Sequence, residues 1–116
     1  MSDNFETIGK VLLPLFRSLV AKELIVTHKL TQNQASEILG TTQAAISHYV
    51  NSKRAVKGSN EFADKLPKIQ EIACQTARQL VMKQVTWKEA SANYCKICSD
   101  MFAEEDTNKT GDNYNI

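Results

Sequence analysis

A chain of 116 residues suits one domain with a modest core. Hydrophobic residues at 42% and charged residues at 23% exclude a disordered chain, and four glycines, two prolines and little period-two alternation exclude a β-rich one. The formal charge of +1 conceals an asymmetry: from His28 to Gly58, Lys29, Lys53, Arg54 and Lys57 oppose Glu37 for a net +3, whereas from Asp100 onward five acidic side chains oppose Lys109 for a net −4.

In chain order, "FETIGKVLLPLFRSLVAKELIVTHK" has a helical pattern, with Pro14 marking a helix start or a kink. Leu12, Leu13, Leu15, Phe16, Leu19, Val20, Leu24 and Val26 fall on one broad apolar arc, with Glu23 at its border or paired within it. Pro14 and Arg17 interrupt the apolar run, and acidic residues precede it, which is unlike a secretory signal. Nothing approaches the roughly 18–20 apolar residues of a membrane span. The expectation is a cytoplasmic protein with no membrane partner, whose three cysteines are thiols or ligands rather than disulfides.

The stretch "LTQNQASEILGTTQAAISHYV" predicts two short helices, Gln32–Leu39 and Gln43–Val50, pinned around Gly40. Isolated helices of this length are marginal in water, so the pair needs a body to pack on. Thr31 suits the first N-cap and Thr42 the second, and Gly40 supplies the permissive turn. Ser36 is small where the helices would cross, and Ile38, Leu39, Ile46 and Tyr49 point to a shared core. Gln43, Ala44, Ser47, His48 and Asn51 then lie on the outer face of the second helix. They are short or polar and none is acidic, so the face can enter a major groove, where Gln can bond an adenine edge. Lys53, Arg54 and Lys57 follow, where a phosphate backbone would pass.

This stretch resembles the lambda-repressor-like (XRE-type) helix-turn-helix family in its Leu-Thr-Gln opening and in Ser36, Gly40, Gln43, Ile46 and Tyr49. The match spans about residues 14–58. The resemblance implies double-stranded DNA as partner, with Gln32 holding a phosphate, Gln43 reading a base, and Lys53 and Arg54 clamping backbone. Many members pair an Arg in the leading helix with a Glu late in the recognition helix; here those positions hold Ile25 and Val50. Replacing both partners of such a pair leaves no orphan charge. The whole chain except its tail also resembles archaeal-type predicted regulators with a C-terminal Cys-x-x-Cys.

Beyond the basic connection, "EFADKLPKIQEIACQTARQLVMKQ" places Leu66, Ile69, Ala73, Thr76 and Leu80 on one side, with Pro67 early. "TWKE" has capping-box spacing, and Trp87, Ala90, Tyr94, Ile97 and Met101 form a narrow stripe after it. "EEDTNKTGDNYNI" has no period and reads as a frayed acidic tail. The predicted organisation is an all-α, lambda-repressor-like helix-turn-helix bundle over 1–58, a C-terminal helical dimerisation and sensing extension over 59–104, and a tail over 105–116. Trp87, Tyr94, Ile97 and Met101 are the expected seam of a homodimer.

Cys95 and Cys98 form a Cys-x-x-Cys on one helix face, and Cys74 lies in the preceding helix. Four readings stand: a zinc site, an iron–sulfur cluster, a redox pair, or small core residues. Zinc and clusters usually take four ligands, so a closed site needs one more donor or a dimer mate. No histidine–carboxylate or glycine-rich phosphate constellation accompanies the thiols, which argues against an enzyme. The expected function is a sequence-specific transcriptional regulator; the alternatives are a helical interaction adaptor and a thiol redox or metal carrier.

Overall fold

The computed structural model describes the backbone of residues 8–51 and 65–114 and the side chains of 9–51 and 65–101. Within these residues the chain is all-helical, and no helix is long and apolar enough to cross a membrane. A π turn, Ile8–Leu12, leads into α1 (Leu13–Val26); α2 (Gln32–Leu39), α3 (Gln43–Asn51), α4 (Leu66–Val81) and α5 (Trp87–Tyr114) follow.

Pro14 sits in the first turn of α1, where its missing N–H costs little; upstream, the donor it cannot supply coincides with the wider π winding. Leu12, Leu15, Phe16, Val20 and Leu24 of the predicted arc are buried, but Val26 is 60% exposed, because α1 ends there and the chain turns away. Pro67 likewise lies in the first turn of α4, which buries Ile69, Ala73, Thr76, Ala77 and Leu80. One hydrophobic cluster joins α1, α2 and α3 to α4 and α5, so the apolar core is continuous across residue 58.

The axis of this core is aromatic. Phe16 stacks on Tyr94 with ring centroids 3.8 Å apart and planes 5° apart, and on Trp87 at 5.6 Å and 19°. The fully buried Tyr94 donates its hydroxyl hydrogen to the Leu12 carbonyl at 3.0 Å, where the π turn meets α1. The Arg17 guanidinium lies 5.7 Å from the Trp87 ring centre. Tyr94 is therefore covered within the chain, and Trp87 is partly covered by Phe16. The full burial of Tyr94 removes it from the expected dimer seam, whereas Trp87 stays half-buried: a three-four stripe marks a buried face without saying whether the cover comes from the same chain.

The Thr86 capping box forms as its spacing predicts, with Glu89 N–H donating to the Thr86 hydroxyl at 3.2 Å and Thr86 N–H to the Glu89 carboxylate at 2.9 Å. The backbone of α5 stays helical to Tyr114, through the stretch whose composition predicts fraying from residue 105. Its physical reason is continuity: a helix already nucleated upstream is extended one hydrogen bond per residue.

Candidate nucleic-acid interface

Three local devices build the α2–α3 pair. Thr31 starts α2 with a full capping box: its hydroxyl accepts from Gln34 N–H at 3.1 Å, and the Gln34 side chain accepts from Thr31 N–H at 2.9 Å. Gly40, at φ 62°, ends it; Gly40 N–H donates to the Glu37 carbonyl and Thr41 N–H to the Ser36 carbonyl, a Schellman motif. Thr42 then caps α3, accepting from Ala45 N–H at 3.0 Å. Only two residues outside a helix, Thr41 and Thr42, follow Gly40, so the direction of α3 is set tightly relative to α2.

Packing fixes which face of α3 points outward. Ile46 is fully buried, Tyr49 and Val50 pack partly against the core, and Leu39 and Ser36 are buried on α2. Ile25 and Val50 both pack against the same cluster. Gln43, Ala44, His48 and Asn51 are exposed and Ser47 is half-buried, all on one side of α3. No acidic side chain occurs on this helix.

The predicted contact residues thus fall into groups. Gln43, Ala44, Ser47, His48 and Asn51 share the outer face of α3, with Thr42 at its N-terminus and Gln32 half-buried in the first turn of α2. Lys53 and Arg54 lie outside the described residues. One element was not foreseen: the Asn51 side-chain amide donates to the Ser47 hydroxyl at 3.2 Å, tying together two polar groups of that face. The Ser-x-x-x-Asn spacing was its only signal. His48 stands edge-on to Tyr49, with centroids 6.4 Å apart.

The cysteines separate. Cys74 is exposed, and its thiol is raised by a hydrogen bond with Glu23, by burial and by the Glu23 charge, against an opposing effect of Arg78. Glu23 also accepts from the Thr27 hydroxyl, at 3.2 and 3.1 Å, so the carboxylate at the border of the arc is a paired one. Cys98 is fully buried and Cys95 is half-buried. Burial pushes the Cys98 thiol up to about 11, despite a hydrogen bond with Tyr94 that pulls the other way. Burial also raises the Tyr94 phenol far above its usual value, the neighbouring Cys98 adding to the effect. Among the described residues, no three His, Cys, Asp or Glu side chains lie together as a metal would require. Of the three candidate ligands, Cys74 faces Glu23 on α1, whereas Cys98 packs with Tyr94 in the core.

No known family model, curated protein or solved structure matches the chain.

Proposed function

We propose that this protein is a sequence-specific DNA-binding transcriptional regulator of the lambda-repressor-like helix-turn-helix type, with α3 as the helix that enters the major groove. The observation that carries the reading is the capped pair itself. Thr31, Gly40 and Thr42 hold α3 against the core by Ile46, and the face left outside consists of Gln43, Ala44, Ser47, His48 and Asn51. Short polar side chains without a carboxylate suit a groove lined by base edges and phosphates. The basic residues Lys53 and Arg54 follow directly in the sequence and supply the charge that backbone contact needs.

In this reading Gln43 reads a base, Asn51 and Ser47 act as a joined polar unit beside it, and Lys53 and Arg54 neutralise phosphates. Gln43→Ala weakens specific binding by about 1–3 kcal/mol and relaxes preference at one base pair. Lys53→Ala or Arg54→Ala weakens binding to specific and random DNA alike and flattens the salt dependence by about one unit. Mobility shifts with selected and random duplexes across a salt series measure both effects. Equal loss on both duplexes for Gln43→Ala removes its reading role, and absence of salt-dependent binding by the parent protein removes the function.

A further inference from the structure

Among the described residues the backbone enters the left-handed region at Gly40, with φ 62°, and at two lysines, Lys29 and Lys83, each with φ 60°. Glycine takes this conformation freely, whereas a Cβ makes it costly. Such strain persists where the surroundings enforce it, and it collects at functional positions. The turn after α1 is closed by His28 N–H donating to the Glu23 carbonyl at 3.2 Å and Leu30 N–H to the Leu24 carbonyl at 3.1 Å. Position 29 is therefore held in a conformation that glycine would adopt at no cost.

The two lysines differ in their surroundings. Lys83 lines an open cavity together with Glu89, so an opposite charge stands near it. Lys29 is exposed and has no ion pair or side-chain hydrogen bond among the described residues. The acid of its own turn, Glu23, already accepts from the Thr27 hydroxyl and is bonded with Cys74. No group in the described chain offsets the strain at position 29, so the offset is sought outside the chain. Lys29 stands two residues before the Thr31 cap and three before Gln32, in the segment of net charge +3. At most about 10 Å of backbone separates it from the start of α2. DNA presents a dense row of phosphates, and contacts to them fix position and strength without reading sequence. We propose that Lys29 is a phosphate contact of the α2–α3 pair, which raises DNA affinity without setting base preference. This role rests on the proposed DNA-binding reading, and it places a cation upstream of the pair to match Lys53 and Arg54 downstream.

Mobility shifts of the full chain on selected and random duplexes across a salt series test it, with thermal melts recording the fold of each variant. Lys29→Gly relieves the backbone and Lys29→Gln keeps the strain; both remove the charge. Each should bind both duplexes several-fold more weakly, with a salt slope flatter by about one unit. Lys29→Arg keeps the charge and should keep the parental slope. Lys83→Gly relieves the same strain in the turn before α5 and should leave DNA binding unchanged. If the parent binds DNA with a salt slope and both uncharged Lys29 variants share it, Lys29 loses its role and the proposed function stands. The role also falls if the slope is lost with glycine but kept with glutamine, or if the loss is confined to the selected duplex. Equal flattening by Lys83→Gly overturns it too, because any surface lysine would then serve. A parent without salt-dependent binding removes both the contact and the function.

Discussion

The α2–α3 pair and the aromatic axis of α1 and α5 are held by opposite kinds of interaction. The pair is specified over a span of a dozen residues, by two threonine caps and one left-handed glycine. The axis is specified over most of the chain, by rings from residues 16, 87 and 94 and a hydrogen bond linking residues 94 and 12. Local devices set the direction of the outward face, while distant ones supply the floor on which it rests. Damage to the first should alter the shape of the pair at modest cost in stability; damage to the second should unfold both regions.

The largest effect is expected at the axis. Tyr94→Ala removes a fully buried ring from its stack on Phe16 and should cost about 3–5 kcal/mol in urea unfolding. Tyr94→Phe keeps the ring and loses only the bond to the Leu12 carbonyl, for about 1–2 kcal/mol. Equal costs for the two variants would mean that the hydroxyl, not the stack, holds the axis. Ending the chain before Thr86 strips Phe16 of both ring partners and should leave no cooperatively folded α2–α3 pair.

Alkaline pH offers a second way to break the axis selectively. Cys98 rises from an ordinary thiol value of 9.0 to about 11 on folding. The unfolded thiol therefore releases its proton first, so stability is complete below pH 9 and falls as pH climbs towards 11. The loss attributable to Cys98 is on the order of 2 kcal/mol, and Tyr94 adds a loss of the same sign at higher pH. Urea midpoints measured across this window for the parent and for Cys98→Ala should diverge, the variant falling less steeply. Parallel curves would remove Cys98 as the source.

Smaller effects belong to the turns. A Cβ at Gly40 would meet no atom within 4 Å, so Gly40→Ala costs only the left-handed backbone, about 1–2 kcal/mol. The turn after α4 repeats the same hydrogen bonds, Lys83 N–H to Leu80 and Gln84 N–H to Gln79, but with Lys83 at φ 60°. Lys83→Gly removes that strain while adding chain entropy to the unfolded state, so a gain of at most about 1 kcal/mol is expected. Thermal melts of both variants compare the turns directly. A destabilised Lys83→Gly would show that the Lys83 side chain contributes more than its backbone costs.

The two regions also differ in how they could be read from sequence. The α2–α3 pair was legible because Thr31, Gly40 and Thr42 each act on backbone groups a few residues away, as Thr86 does at the start of α5. Their chemistry is written in the spacing. The buried faces of α1 and α4 were legible from periodicity, with Val26 failing only because a helix end lifts it from the core. What covers Trp87 and Tyr94 was not legible. A helical stripe identifies residues that want cover, and Phe16 lies some seventy residues away in sequence. That Cys74 meets Glu23 of α1 was not legible for the same reason: angular position along one helix does not fix which neighbour it meets. The Gln43–Asn51 face followed from the burial of Ile46, whereas the bond between Asn51 and Ser47 required coordinates.

The bond from Tyr94 to Leu12 also bears on the order in which the protein is made. Synthesis runs from the N-terminus, at about 5–20 residues per second. Helices α2 and α3 are complete by residue 51, yet the rings that cover Phe16 come at residues 87 and 94. Until that later segment leaves the ribosome, the leading helix carries an uncovered aromatic surface and the α2–α3 pair has an unfinished support. A chain released early, by a premature stop or a cut before α5, would therefore carry every residue assigned to DNA without a body to hold them in place. Under the proposed function, the aromatic closure ties DNA binding to the finished chain and restricts partial products to a form that cannot compete for an operator.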